Sequence, residues 1–316
     1  MDFFTNTHLK PATYKPYNSK LNKWITIMPS DKNTITHIYT NPNFSVVTLR
    51  KYLAENNVDT FVNLNSYIKA IISCAEHNPS FFEKVSEQKL SKCQERWKEM
   101  LVYSYQQSTQ YRLEQKPSPS QSLKSGVSLK MIDLEQIRDS LEDGSIEKLL
   151  IGFYTYVPPV RLDHYATQIL KFGETPSEPN YIFFSDSKAY LKITDFKTAY
   201  IYKSIEYEIP FELHRQLALS LQIKPRTYLF TNEQGNPFTR NSFSRWASHK
   251  LLQVFKKELS LTMFRHIFIS DLDLNSSPEI LFEIGRKMGH SITQQHLYKW
   301  KEEPNRINDD DEIENH

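Results

Sequence analysis

Apolar residues in the first third of the chain recur at helical spacing: Val47, Leu49 and Leu53, then Phe61, Leu64, Ile68, Ile71 and Ile72, then Trp97, Leu101 and Tyr105. Side chains three and four apart share one face of a helix, so these stretches predict a small helical domain over residues 44–113. Residues 1–43 are rich in Asn, Lys, Thr and Pro with scattered aromatics, and read as an arm with little structure of its own. The run from Lys116 to Ser128, built of Pro, Ser and Lys, has no periodicity and reads as a solvated linker over residues 114–128.

Beyond the linker, Leu134, Ile137 and Leu141 predict a helix closed by Gly144, and Ile146, Leu149, Leu150 and Phe153 predict another that stops before Pro158 and Pro159. Three aromatic and β-branched runs, Tyr181 to Phe184, Tyr190 to Ile193 and Ile205 to Ile209, suit a small antiparallel sheet. Helical spacing then returns over 213–221, 242–255, 263–272, 278–288 and 293–300. The fourth of these has Ser277 as its cap, Pro278 in its first turn and Gly289 where a left-handed C-terminal residue is wanted. Residues 129–303 thus predict a mainly α domain with a small antiparallel β-sheet, and residues 304–316 form an acidic tail.

Composition narrows the function classes. The chain has 316 residues, 39% hydrophobic and 24% charged, enough for two ordinary domains. Mean hydropathy is -0.57, and no apolar run approaches the roughly 18 residues of a spanning helix, so no membrane association is expected. The first residues lack the basic and then apolar pattern of a signal peptide, which predicts an intracellular protein. Cys74 and Cys93 match no common zinc spacing, which argues against a disulfide framework and a structural metal. Seven glycines form no nucleotide-binding loop, so ATP and NAD are not expected cofactors. The net charge of +2 hides an asymmetry: residues 1–128 carry 16 Lys and Arg against 10 Asp and Glu, whereas the last fifteen carry one Arg against seven acids. A basic front and an acidic tail fit a polyanionic partner.

The segments that carry chemistry are Leu261-Thr-Met-Phe-Arg-His-Ile-Phe-Ile-Ser270 and Ile284-Gly-Arg-Lys-Met-Gly-His-Ser-Ile-Thr-Gln-Gln-His-Leu-Tyr298. An Arg in an apolar helix, a Gly-His helix end and a Tyr eight residues later resemble the tyrosine recombinase, or phage integrase, family. Two further boxes of that pattern lie upstream. Arg161, in Val157-Pro-Pro-Val-Arg-Leu-Asp-His164, matches the first Arg box at what reads as the start of a helix. Lys197, at the end of the second predicted strand, stands where the family has its hairpin lysine. The wording looks most like integrases of viruses and virus-like mobile elements. The resemblance covers residues 129–300 and implies the recombinase catalytic fold, preceded by a helical core-binding domain, the two forming a clamp on DNA.

The residue types suit strand cleavage by transesterification. A Tyr hydroxyl ordinarily titrates near 10 and attacks phosphorus only when activated; Tyr298 is placed as that nucleophile. Arg161 and Arg265 can hold the phosphate's nonbridging oxygens bidentately, and His290 can add a hydrogen bond. Lys197 is placed to protonate the leaving 5'-oxygen. No cofactor is implied, because a 3'-phosphotyrosyl bond conserves the energy of the broken link. The implied partners are double-stranded DNA and further copies of the chain, normally four, with the segment after Trp300 helping to dock neighbours.

Thr262 stands three residues before Arg265, where the family usually has His or Lys, and a hydroxyl is no general base near neutral pH. Two alternatives stay open: a type IB topoisomerase, which makes the same cut and rejoins within one duplex, and a DNA-binding protein without catalysis on the same scaffold. Lys192 and Lys203 compete with Lys197, since a one-residue slip of the hairpin exchanges the faces of a strand. Arg161 could instead pair with a protein carboxylate, and Tyr298 could be a half-buried core residue.

Overall fold

Thr34 and Thr60 start helices in the N-terminal third: each hydroxyl accepts the backbone N–H three residues on, of His37 and Asn63, a donor that the first helical turn leaves without a partner. The structure is a computed structural model and describes residues 1–4, 8, 9, 11–58 and 60–301. Contacts divide the chain into two units, Met1–Gln110 and a second that begins at Tyr111. No helix among the described residues is long and apolar enough to cross a membrane.

The first unit is built from α1 (Pro11–Ile27), α2 (Ile35–Thr40), α3 (Pro42–Glu55), α4 (Phe61–His77) and α5 (Glu87–Leu113) as far as Gln110. Its core is aromatic. Trp24 meets Tyr67 and Trp97 edge to face, at centroid distances of 5.7 and 5.9 Å, and the two indole N–H groups donate to the carbonyls of Ser45 and Tyr39. Residues 1–43 are therefore no loose arm, contrary to the expectation from their composition. Phe3, Phe4, Leu21, Trp24, Met28, Ile35, Ile38 and Tyr39 are all buried in this core, and Asn18 accepts the backbone N–H of Phe3. The pattern hid because α1 concentrates its burial in Leu21 and Trp24 among Asn, Lys and Pro, too few apolar positions to show a period.

The second unit runs through α6 (Pro119–Ser122), α7 (Met131–Ser140), α8 (Ile146–Gly152), β1 (Gln168–Lys171), β2 (Asn180–Phe184), β3 (Ala189–Ile193), α9 (Ala199–Tyr202), β4 (Ile205–Glu208), α10 (Phe211–Ile223), α11 (Arg240–Phe255), α12 (Leu261–Asp271), α13 (Pro278–Met288) and α14 (Ile292–Tyr298). It is mostly helical, with a four-stranded sheet in the order β1-β2-β3-β4. One core joins Leu149, Leu150 and Phe153 of the α8 region to Leu191 of the sheet and to Leu213, Phe243 and Phe264 of the later helices.

Three local expectations are corrected. The sheet is mixed: β2, β3 and β4 pair antiparallel as expected, but β1 runs parallel to β2, and its four residues are too few to show alternation. The Pro/Ser run is docked rather than a free linker, since Gly126 donates to the Glu258 carbonyl at 3.1 Å and Ser125 accepts the Glu258 N–H at 2.9 Å. A Cβ at residue 126 would fall 2.6 Å from that carbonyl oxygen, so only glycine allows the approach. Arg161 lies in an irregular loop between α8 and β1, not at a helix start, because the preceding prolines hold the chain extended and Asp163 accepts the Arg161 backbone N–H. The acidic tail at 304–316 lies outside the described residues.

Candidate active site

Arg265 sits mid-way along α12 and is wholly buried. Its guanidinium donates to the carbonyls of Pro159 and Met288, at 2.7 and 3.1 Å, and to Nδ1 of His290 at 2.9 Å. A guanidinium has no acceptor, so His290 Nδ1 must accept and the ring proton sits on Nε2. That Nε2 is buried without a partner among the described residues, as is Arg265 Nε. Burial, with Arg265 and Arg161 adding to it, holds the His290 imidazole down at about 2, so the ring is neutral.

Local backbone chemistry aims these groups. α13 ends at Gly289 in the left-handed conformation (φ +64°), which reverses the chain and turns His290 back toward α12. After the turn, Ser291 caps α14 through the N–H of Gln294, and Tyr298 is the last helical residue. The Tyr298 hydroxyl lies 3.4 Å from Arg161 Nη2, the Arg265 guanidinium is 5.0 Å from the ring centroid, and the His290 ring is 5.4 Å away. Burial acts to raise the phenol's pKa, but Arg265 and Arg161 outweigh it and hold the group below its usual 10. Arg161 is fixed in turn: its carbonyl accepts the Tyr154 hydroxyl at 2.6 Å, and the buried Asp163 that takes its N–H pairs with Arg240 at 3.0 Å. Neither Arg161 nor Arg265 has a carboxylate ion-pair partner among the described residues.

Lys197 is exposed in the turn between β3 and α9 and makes no hydrogen bond or ion pair among the described residues. Its turn is tied to the site on both sides: Phe196 packs beside Gly289, and Thr198 Oγ1 donates to the Gly289 carbonyl at 2.6 Å. Lys192 is paired across the sheet with Glu206 at 3.0 Å, while Lys203 closes α9 with a positive φ of 62°. Thr262 is exposed in the first turn of α12. The structure thus brings Arg161, Arg265, His290 and Tyr298 together, with the Lys197 turn anchored next to His290 and its ammonium bonded to none of the four.

Sequence reasoning gave Asp163 no role, counted Arg240 only among the basic helix residues that could face phosphates, and set His266 and His296 aside because neither stands at the family's base position. Asp163 and His266 stand within the two boxes that drew attention to Arg161 and Arg265, but their partners lie far along the chain and no spacing announces them. Ten basic residues of the predicted helices could face phosphates; of these, Lys84, Lys89, Lys92, Lys98, Arg245 and Lys256 are exposed and Lys257 is half-buried, whereas Arg96, Arg240 and Lys250 are ion-paired with Glu99, Asp163 and Glu147.

No protein-family model matches the chain, and no curated protein sequence does. Among solved structures, the crystal structure of XerA recombinase aligns over 93% of this chain and 88% of its own, at 13% identity and a TM-score of 0.40. The XerH site-specific recombinase, bound to difH substrate in a pre-cleavage complex, aligns over 95% and 96%, at 11% identity and a TM-score of 0.40.

Proposed function

We propose that the chain is a site-specific DNA recombinase that cuts and rejoins strands through a 3'-phosphotyrosyl intermediate. The observation that carries this reading is a phenol hydroxyl 3.4 Å from Arg161, with the Arg265 guanidinium 5.0 Å and the His290 ring 5.4 Å from its ring, and with no carboxylate ion-paired to either guanidinium among the described residues. A phosphodiester anion supplies the charge that this pocket lacks, and the pocket's donors are held in place before it arrives.

Tyr298 gives up its phenol proton to water and attacks phosphorus, forming the O–P bond as the bond to the 5'-oxygen breaks. Arg161, Arg265 and the His290 Nε2–H hold the nonbridging oxygens, and Lys197, without a hydrogen bond or ion pair among the described residues, gives its proton to the departing 5'-oxygen. The 5'-hydroxyl of a second duplex reverses the step and joins the strands. Thr262 leaves the usual base position without a base, so the two guanidiniums lower the phenol's pKa and prepare it for attack. Exchange between two duplexes requires four cleavages and hence four copies of the chain on DNA. The exposed lysines of the first unit supply backbone contacts there. The sequence wording points to an integrase of a viral or virus-like element.

The test is trapping on a suicide DNA duplex that loses its 5'-hydroxyl fragment after cleavage. Wild type is expected to accumulate covalent protein–DNA and Tyr298→Phe none; a covalent band that persists in Tyr298→Phe overturns the nucleophile. Relaxation of supercoiled plasmid by a monomer, without joining of separate duplexes, assigns the chain to topoisomerase chemistry instead.

A further inference from the structure

His266, next to Arg265 on α12, has a task that the reaction above leaves unassigned. Its Nδ1 lies 2.8 Å from the backbone carbonyl oxygen of Tyr298. A carbonyl only accepts, so Nδ1 carries the proton. Burial holds the ring down at about 4, so it is neutral, and the bond to the carbonyl selects that tautomer. The imidazole is also clamped between two aromatic rings: Trp300 is stacked on it at 4.7 Å and 10°, and Tyr298 meets it edge-on at 4.7 Å. The same strip of chain is fastened to α12 twice more. The backbone N–H of Trp300 donates to Ser270 Oγ at 2.9 Å, and Lys299 Nζ donates to the Leu272 carbonyl at 3.3 Å.

These bonds matter because of where α14 stops. A helix-terminal carbonyl has no intrahelical donor, and the last turn of a helix frays unless something else satisfies it. Tyr298 is that last residue, and the helix has only seven. We infer that His266 is a positioning residue for the nucleophile: it grips the Tyr298 main chain and so fixes where the phenol oxygen stands. Because His266 and Arg265 are consecutive residues of one helix, the nucleophile and a guanidinium that holds its target share one rigid support. A displacement of about 1 Å in such an arrangement costs on the order of a hundredfold in rate.

The inference rests on the recombinase reading, and the experiment separates the two. Cleavage rate on the suicide duplex and noncovalent affinity for intact duplex are measured for wild type, Tyr298→Phe, His266→Phe and His266→Asn. Phe keeps an aromatic ring against Trp300 but has no donor; Asn keeps a donor near the Nδ1 position but loses the ring. His266→Phe is expected to bind duplex as wild type does and to cleave at least tenfold more slowly, with His266→Asn recovering to within about threefold of wild type. Wild-type cleavage by His266→Phe, equal slowing in both variants, or slowing matched by lost affinity overturns the positioning role while leaving the recombinase reading standing. Failure of wild type itself to form covalent complex overturns the recombinase reading. Nitrogen chemical shifts of the imidazoles in wild-type protein give a check that needs no variant. His266 is expected to be protonated at Nδ1 and bare at Nε2 at pH 7, and the reverse pattern removes the grip.

Discussion

At the scale of single residues, the second unit stores neutral imidazoles in places that cannot tolerate a charge. His164 is fully buried between the rings of Phe153 and Tyr154, neither of its nitrogens has a partner among the described residues, and burial lowers it to about 3. His266 is lowered to about 4, chiefly by burial. In the unfolded chain both titrate near 6.5, so between there and 4 the unfolded state binds more protons than the folded one. Their contribution to stability is therefore complete above about 6.5 and is lost as pH falls toward 4, at about 1.4 kcal/mol per pH unit for each ring. The difference in unfolding free energy between pH 7 and pH 5 should include about 2 kcal/mol from His164 alone. Urea unfolding of His164→Leu is expected to show that difference reduced by this amount. An unchanged pH dependence would mean that His164 is charged or solvated in the folded state. The contrast with His290 is instructive: there Arg265 donates to Nδ1 and fixes the proton on Nε2, whereas neither nitrogen of His164 has a partner among the described residues and the ring meets only Phe153 and Tyr154 edge to face. Local sequence shows both as a histidine near an arginine and cannot tell these cases apart.

At the scale of elements, the site depends on how closely α13 and α14 approach. Gly285 lies within α13, and a Cβ there would stand 2.7 Å from the His290 carbonyl oxygen and 2.9 Å from Gln295 Nε2. Gln295 is itself fully buried and donates to the Leu281 carbonyl at 2.7 Å, so it stitches α14 to the preceding helix. The neighbour on one side is backbone and cannot swing away. Gly285→Ala must move the turn that carries His290 and with it the start of the helix that carries Tyr298. Such overpacking costs typically 1–3 kcal/mol, roughly. A lower melting temperature is expected, together with covalent-complex formation reduced at least tenfold on the suicide duplex; wild-type cleavage by this variant would show that the helix pair tolerates the shift. Here the sequence was legible up to a point. Ser277, Pro278 and Gly289 announced both ends of α13, and the eight-residue spacing from His290 to Tyr298 announced only the resemblance, not the packing of α14 on α13. The need for glycine at 285 was not legible, because it arises from an atom five residues away only after the chain has reversed. The same distinction explains β1 and the Arg161 loop. A strand that relies on its partner and a loop that relies on Asp163 carry no period to read.

At the scale of the whole molecule, two hydrophobic cores stand on the two sides of the Gln110–Tyr111 boundary, and each is complete within its own unit. The second was largely visible in advance because its helices and strands each contribute several apolar residues in phase. The first was visible only from residue 44 onward, since the apolar residues of its opening segment are scattered among Asn, Lys, Thr and Pro and show no period. That difference sets a specific expectation. Trp24 touches Tyr67 and Trp97 and is 0% exposed, so the indole is central to a core otherwise built from α2, α3, α4 and α5. Its removal leaves a cavity and orphans the Ser45 carbonyl that its N–H satisfies, and a substitution of this kind costs about 3–5 kcal/mol. Scanning calorimetry of the full chain is expected to resolve two transitions, one for each unit. In Trp24→Ala the transition of the first unit should fall in temperature, while that of the second stays where it is in wild type. A chain truncated before residue 44 should lose the first transition altogether, because Phe3, Phe4, Leu21 and Trp24 leave together. If truncation leaves both transitions in place, residues 1–43 are an arm after all, and the aromatic core assigned to them does not stabilise the unit.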